Sequence, residues 1–450
     1  MRKFSVSDVL RACGGKLISG DKDMLITRVL SDSREASEGA LFVPFKGARS
    51  DGHDFIPDVI KKGASSLSEN HMESCDGTVI EVESTLEALG DIAAEYLKMY
   101  RVPVVGVTGS VGKTSTKDMI AGVLSVKYDI LKSTGNHNNE IGMPLTVLGM
   151  EEENNMAVLE MGMSAFGELN YLARIAKPDV AVITNIGMSH IENLGSQEGI
   201  LKAKLEICDY FDKESLLFVN GDDPFLKDLV RDFKIVTYGM GENCNIRATE
   251  IVNRGIMGST FTLLVEGESY PVTVKAPGVH NVYNAMAAIG IGMHYGITVA
   301  DAAEAVSRVE LTDLRMTVEE LGGYVLLKDF YNAAPDSVRA SLAVLKTVEG
   351  MRRVAVLGDI LEMGEYAEAE HKKLGAAAHE NADVLITVGK NGRFIAEGAV
   401  SAGMTDVVSF DTTEAAAEGI FEYTKPGDCV LIKASRGMRF EKIYEKYKEI

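Results

Sequence analysis

In residues 85–100 the apolar side chains Leu86, Leu89, Ile92, Ala93, Tyr96 and Leu97 return every three or four positions, which predicts an amphipathic helix. A β-branched run at 102–108 follows, then glycines, then a new helical pattern from Lys113, so the order here is strand, tight loop, helix. Apolar runs at 156–161, 179–186 and 216–220 predict further buried strands, and the helix-length segments between them point to a largely parallel sheet covered by helices. From about 246 to 276 the pattern changes to alternating polar and apolar residues broken by glycines, which predicts antiparallel ribbons. The most apolar stretch, 283–300, is interrupted by glycines and His294 and reads as a buried helix pair, not a membrane span. After Arg315 a second series begins, with strands expected at 324–330, 353–357, 383–388, 407–410 and 429–433 and helices between them, as in a doubly wound α/β unit.

These patterns predict an α/β protein of three domains. They are a small mixed α/β domain over 1–83, a central domain with a mostly parallel sheet over 84–313, and a Rossmann-like doubly wound domain over 314–450. A chain of 450 residues fits that number, and 46% apolar with 25% charged residues is ordinary for a folded protein. The formal charge of −20 argues against nucleic acid or an anionic membrane as a bulk partner, because both need a basic footprint. Cys13, Cys75, Cys208, Cys244 and Cys429 are odd in number and never form a C-x-x-C pair, which favours reduced thiols in a cytoplasmic protein over disulfides or structural zinc. The amino terminus reaches an acidic residue before any apolar run of signal-peptide length.

Gly109-Ser110-Val111-Gly112-Lys113-Thr114 lies in the loop between strand and helix. Its glycines let the backbone approach phosphate oxygens, and successive N–H groups with the helix N-terminus supply positive partial charge. Lys113 would reach the β- and γ-phosphates, and the Thr114 hydroxyl would bind Mg²⁺. Val107 occupies the place of the usual first Walker glycine, so the general motif is not matched.

The run from Thr108 through Ser115 to Lys117 is similar to the shortened phosphate loop of the Mur ligases, ATP-dependent amide-forming enzymes of peptidoglycan synthesis. The resemblance extends over essentially the whole chain. It is carried also by Gly135-Asn-His-Asn-Asn-Glu-Ile-Gly-Met-Pro144, Glu160-Met-Gly162 with Gly167-Glu168, Asp329-Phe-Tyr-Asn-Ala-Ala-Pro335, and Leu357-Gly-Asp-Ile-Leu-Glu-Met-Gly364. Two positions depart from the pattern: Lys328 stands where an Asp is usual, and Ala334 where an Asn is usual. The resemblance points to the branch that joins D-alanyl-D-alanine to a UDP-N-acetylmuramoyl-tripeptide. It implies ATP and two Mg²⁺ ions as cofactors, these two small molecules as substrates, and a monomer.

It also implies roles. Lys113, Glu160, His190 and Lys204 would be catalytic, with Thr114, Glu160, His190 and Lys204 holding metal. Glu160 ends an expected strand and is a hard ligand suited to Mg²⁺, or else an acid capping the next helix. His190 would face Mg²⁺ or phosphate, or else be structural. Lys204 matches the family lysine that CO₂ carbamylates, which needs a partly unprotonated amine, whereas its charged helix would by default be a solvated face. Asn138 and Asn139 would touch substrate, or else form a turn. Asn281 or Asn284 would meet the adenine, unless Asn281 is a helix N-cap. Arg315 and Asp329 would reach the γ-phosphate and ribose when the last domain closes. Ser33 and Arg34 would contact the UDP end, or else form an exposed turn. Lys433-Ala-Ser-Arg436 would face the acyl phosphate or the incoming dipeptide. Two rivals are a relative adding single amino acids or glutamates, and a nucleotide-binding regulator that has lost ligation.

Overall fold

The computed structural model describes residues 4–47, 50–71, 76–311 and 315–450. Cys75, the first three residues and the expected boundary at 313/314 lie outside them. Three large sheets follow one another along the chain.

The first has five strands, in the order Lys16–Ser19, Val79–Glu81, Ser65–Ser68, Ala40–Phe42, Arg28–Leu30, parallel except at the first pairing. A two-stranded ribbon, Phe4–Ser5 with Leu25–Ile26, lies apart from it.

The central sheet has nine strands. Seven run parallel: Ile130–Lys132, Met156–Glu160, Val104–Thr108, Val180–Ile183, Leu216–Asn220, Lys234–Gly239 and Ile246–Asn253. Ser259–Val265 and Glu268–Val274 then extend it antiparallel, as the alternating pattern predicts. The strand period of two divides the apolar side chains between two cores. Val105, Val107, Val158, Val180 and Val182 pack with the helices Lys113–Leu124 and His280–His294. Ala157, Leu159, Ala181, Ile183, Leu217 and Val219 join the opposite core with Thr85–Tyr100. That helix spans the predicted residues, started by the Ser84 side chain accepting the Glu87 N–H.

The third sheet runs Thr317–Leu321, Tyr324–Lys328, Asp428–Lys433, Arg352–Gly358, Val384–Val388, Val407–Phe410, parallel apart from the first, antiparallel pair. It too is covered on both faces: Val354, Val356, Ile386 and Ile432 face one core, and Ala355, Leu357, Leu385 and Leu431 the other.

The expected strand over 179–186 shortens to Val180–Ile183. Asp179 is used instead to accept the Val104 N–H, and Thr184 and Asn185 turn away to hold the phosphate loop. The apolar stretch forms two helices, His280–His294 and Val299–Arg308. Among the described residues no helix is long and apolar enough to cross a membrane, and Cys13, Cys208, Cys244 and Cys429 are free thiols.

Candidate active site at the carboxyl edge of the central sheet

Val104–Thr108 is entirely buried and ends at Gly109. Gly109 has φ 149°, and a Cβ there would sit 1.8 Å from Thr184 Oγ1, so the loop leaves the strand through a conformation and a space that glycine alone fits. Gly112, at φ 86°, then starts the helix Lys113–Leu124 with no side chain capping its first turn. Its free N–H groups point outward, the arrangement that binds phosphate.

The loop is clamped from the neighbouring strand. Asn185 Oδ1 accepts the Val111 N–H at 3.0 Å, while Asn185 Nδ2 (3.0 Å) and Thr184 Oγ1 (2.6 Å) both donate to the Val111 carbonyl. Ser110 Oγ accepts the Gly187 N–H at 2.9 Å. Lys113 folds back over the loop, donating to the Gly109 carbonyl at 2.8 Å. Burial pushes its ammonium below the usual lysine range; nearby Arg315 adds to this and Glu160 opposes it.

Glu160, 1% exposed, ends Met156–Glu160 beside the helix start. Thr114 Oγ1 donates to its Oε2 at 2.6 Å and Asn138 Nδ2 to its Oε1 at 2.8 Å. It caps no helix. Its strand end is tied down from behind, since the Glu160 N–H donates to Ser133 Oγ and buried Lys117 donates to the Ser133 carbonyl. Asn139 takes the turn-forming reading, its Oδ1 accepting the Gly142 N–H at 2.8 Å, although it lines the same cleft.

His190 sits at φ 61°, and its Nδ1 is 2.5 Å from Glu362 Oε2 on the third sheet's side of the cleft. Burial lowers its pKa and the Glu362 carboxylate opposes the shift. Lys204, 2% exposed, lies on the helix Gln197–Leu205. Among the described residues no carboxylate forms an ion pair with it. Burial, reinforced by Lys113, holds its amine well below the ordinary lysine pKa. The solvated-face reading therefore fails at Lys204.

Asn281 is not an N-cap; that position is Val279. Its Nδ2 donates to the Pro277 carbonyl and its Oδ1 accepts from Asn284 Nδ2, whose own Oδ1 accepts from Thr116 Oγ1. This buried chain of amides ties the phosphate-loop helix to His280–His294. Only Asn281 of the pair opens on the cleft.

The cleft, about 580 Å³, is lined from both sheets: by Ser110–Lys113, Ser115, Glu160 and His190 on one side, and by Arg315, Asp329 and Lys433 on the other. Arg315 lies 4.2 Å from the ring centre of Tyr331. Asp329 Oδ2 accepts from Lys433 Nζ and from Ser341 Oγ, each at 2.6 Å. The two departures from the family pattern are accommodated locally. Lys328 pairs with Glu319 at 2.9 Å, and the Ala334 N–H donates to Ser337 Oγ at 2.9 Å. Ser33 and Arg34 are not brought to this cleft. They form a short turn, Ser33–Glu35, on the first sheet, with Arg34 exposed and paired to Asp32.

Among the described residues no three His, Cys, Asp or Glu side chains gather into a metal site. Glu160 and Thr114 beside the phosphate loop do fit Mg²⁺ held jointly with nucleotide phosphates and water, the ordinary habit of that ion. Sequence reasoning passes over the clamp of Thr184 and Asn185, although Asn185 stands only five positions before His190. Nothing local to the sequence marks the stack of Arg315 on Tyr331 or the reach of Glu362 to His190.

A nucleotide loop, a carboxylate, a buried lysine and a facing doubly wound sheet define an ATP-dependent ligase architecture, and the chain belongs to the Mur ligase family. Family models match in chain order: the Mur ligase family, catalytic domain, over residues 25–97, the Mur ligase middle domain over 107–292, and the Mur ligase, glutamate ligase domain, over 314–436. The chain is 40% identical to UDP-N-acetylmuramoyl-tripeptide–D-alanyl-D-alanine ligase of Bacillus subtilis, over 98% of each chain. Its structure superposes on MurF from Acinetobacter baumannii with a TM-score of 0.93, at 29% identity and full coverage of both chains. It also superposes on MurF ligase from Thermotoga maritima in complex with ADP, with a TM-score of 0.85 at 30% identity, over 95% of this chain and 99% of that one.

Proposed function

We propose that the protein is an ATP-dependent ligase that joins D-alanyl-D-alanine to UDP-N-acetylmuramoyl-tripeptide, giving the pentapeptide precursor of peptidoglycan, ADP and phosphate. The observation that carries this is one cleft lined by the phosphate loop, Glu160 and His190, with buried Lys204 close enough to Lys113 and His190 to interact with their charges, in a chain similar end to end to ligases of that name.

In this reading the loop N–H groups and Lys113 hold the ATP phosphates in line with the terminal carboxylate of the tripeptide. The carboxylate oxygen takes the γ-phosphoryl group, ADP leaves, and the dipeptide amine attacks the acyl phosphate to expel inorganic phosphate. Such chemistry is mostly positioning and charge neutralisation. Mg²⁺ at Thr114 and Glu160 would neutralise phosphate charge there, with His190 and a carbamylated Lys204 as candidates for a second ion. Carbamylation would convert the buried cation of Lys204 into an anion. Asn281 faces the adenine in this reading, Arg315 the γ-phosphate and Asp329 the ribose. The sheet that carries Asp329 then closes the cleft against water. Asn138 positions Glu160, and Asn284 supports Asn281. Ser33 and Arg34 bind the UDP end from the first sheet. The three domains take the bounds 1–83, 84–313 and 314–450, and the protein acts as a cytoplasmic monomer.

Phosphate release is the test. With ATP and Mg²⁺ it is expected only when UDP-muramoyl tripeptide and D-alanyl-D-alanine are both present. Release with lysine, diaminopimelate or glutamate in place of the dipeptide would indicate a relative's activity. No release in any mixture would indicate a regulator.

A further inference from the structure

His190 and Glu362 stand 172 positions apart, one at the carboxyl edge of the central sheet and the other in the loop that follows Arg352–Gly358 of the third. Both hold a left-handed backbone, each at φ 61°. For a residue with a Cβ that conformation is unfavourable and persists only where surrounding contacts fix it. The contacts are present. Beside the pairing of His190 Nδ1 with Glu362 Oε2 at 2.5 Å, the Glu192 N–H donates to the Glu362 carbonyl at 3.3 Å. Tyr366 donates its hydroxyl to the Gly195 carbonyl at 3.3 Å. Residues 362–366 thus dock on residues 190–195.

This docking decides how the imidazole is used. With Nδ1 committed to a carboxylate, Nε2 is left for the cleft that His190 lines. A carboxylate on the far nitrogen fixes ring orientation and makes the near one a better donor of electrons, the arrangement that commonly supports metal-binding histidines. The carboxylate here comes from the opposite sheet, so the orientation exists only while the two sheets are docked.

We propose that Glu362 is a positioning residue that turns His190 Nε2 toward the nucleotide cleft, so that the divalent-cation site is completed by closure of the third sheet onto the central one. This rests on the reading of His190 as a residue serving the cation and phosphates.

The test uses the full-length protein with ADP and Mn²⁺, free Mn²⁺ being measured by electron paramagnetic resonance, for the wild type, Glu362→Ala, Glu362→Gln, His190→Ala and the double alanine variant. Glu362→Ala is expected to weaken Mn²⁺ binding about 10- to 100-fold. Glu362→Gln, whose amide oxygen still accepts from Nδ1–H, should recover most of that loss, and the double variant should bind no more weakly than His190→Ala. Mn²⁺ binding by Glu362→Ala within twofold of wild type, or a loss that adds to that of His190→Ala, would overturn the inference. If His190→Ala itself binds Mn²⁺ normally, the underlying reading of His190 fails as well. If His190→Ala is weakened and Glu362→Ala is not, only the role of Glu362 fails. The Glu362 side chain is half exposed, so its replacement leaves the core intact.

Discussion

Replacing Asn185 with alanine removes both amide contacts that hold Val111 in the phosphate loop, and the two are not equivalent. The Val111 carbonyl keeps a second donor, Thr184 Oγ1 at 2.6 Å, whereas the Val111 N–H has Asn185 Oδ1 as its acceptor at 3.0 Å. The principal loss is thus one donor left without its partner at the edge of a cleft. An unmade hydrogen bond of that kind costs about 1–3 kcal/mol, toward the lower end where water can enter. Taken as about 1–2 kcal/mol and borne by the loop conformation that binds nucleotide, it weakens ADP binding roughly 5- to 30-fold. Thr184→Val removes only the redundant half and should weaken binding less. Isothermal titration of ADP with Mg²⁺ into the two variants measures both. ADP affinity of Asn185→Ala within twofold of wild type, or a larger loss in Thr184→Val than in Asn185→Ala, would refute the clamp.

Two further outcomes are expected. An ordinary lysine with a pKa of 10.5 has about one amine in a thousand free at pH 7.5, and each unit of depression raises that tenfold, so the burial of Lys204 favours reaction with CO₂. Turnover should fall in CO₂-free buffer and return with bicarbonate, and Lys204→Ala should be nearly inactive but partly restored by formate or acetate; full activity in Lys204→Ala would end the carbamate reading. His371 is fully buried, donating from Nδ1 to the Ala367 carbonyl and accepting the Ile360 N–H at Nε2, so it must be neutral, and burial lowers its pKa from 6.5. The unfolded chain then binds the extra proton more readily, so this contribution to stability is complete above about pH 6.5 and is lost as pH falls below it. The midpoint of thermal unfolding should drop more steeply from pH 7 to 5 in the wild type than in His371→Gln, and parallel curves would contradict the assignment.

The strands at the centre of the second and third sheets are legible because they are buried on both faces and therefore read as unbroken apolar runs, whereas the middle strand of the first, Ser65–Ser68, is mostly serine and leaves no such run. Lys234–Gly239 escaped notice because most of its side chains are exposed or half-buried, which leaves no apolar run to detect. Thr317–Leu321 is an edge strand with only its alternate residues half-buried, and it is held by its hairpin partner Tyr324–Lys328. The phosphate loop was legible for a different reason: glycine is required at 109 and 112 by backbone geometry, and that requirement is local. Asn281 was ambiguous for the converse reason. An Asn near a helix start suits a cap, but the helix begins one residue earlier, at His280, and Asn281 bonds to Pro277 and to Asn284, which alone of the two reaches a distant partner, Thr116. The pairing of His190 with Glu362 joins loops of two different sheets, and the contact of Arg315 with Tyr331 lies across the open end of one hairpin; no periodicity encodes either.

The charge of −20 raises the question of how an anionic nucleotide is held at all. The cleft does not answer it with an excess of cationic side chains. Its described lining carries the cations Lys113, Arg315 and Lys433 against the carboxylates Glu140, Glu160, Glu168, Asp329 and Asp336, and Lys433 is already paired with Asp329. A carbamylated Lys204 behind it would add another anion. Since charges farther away than about 8 Å are largely screened at physiological salt, the overall surface field neither helps nor prevents binding. What remains is the loop itself, whose helix start has no side-chain cap and so offers N–H groups to an anion, together with Lys113 and, in the proposed function, divalent cations. If the proposed divalent cations bind here, the acids at the cleft are not a liability to be outweighed but the means of retaining them, and nucleotide affinity would be built by the ions and the backbone together.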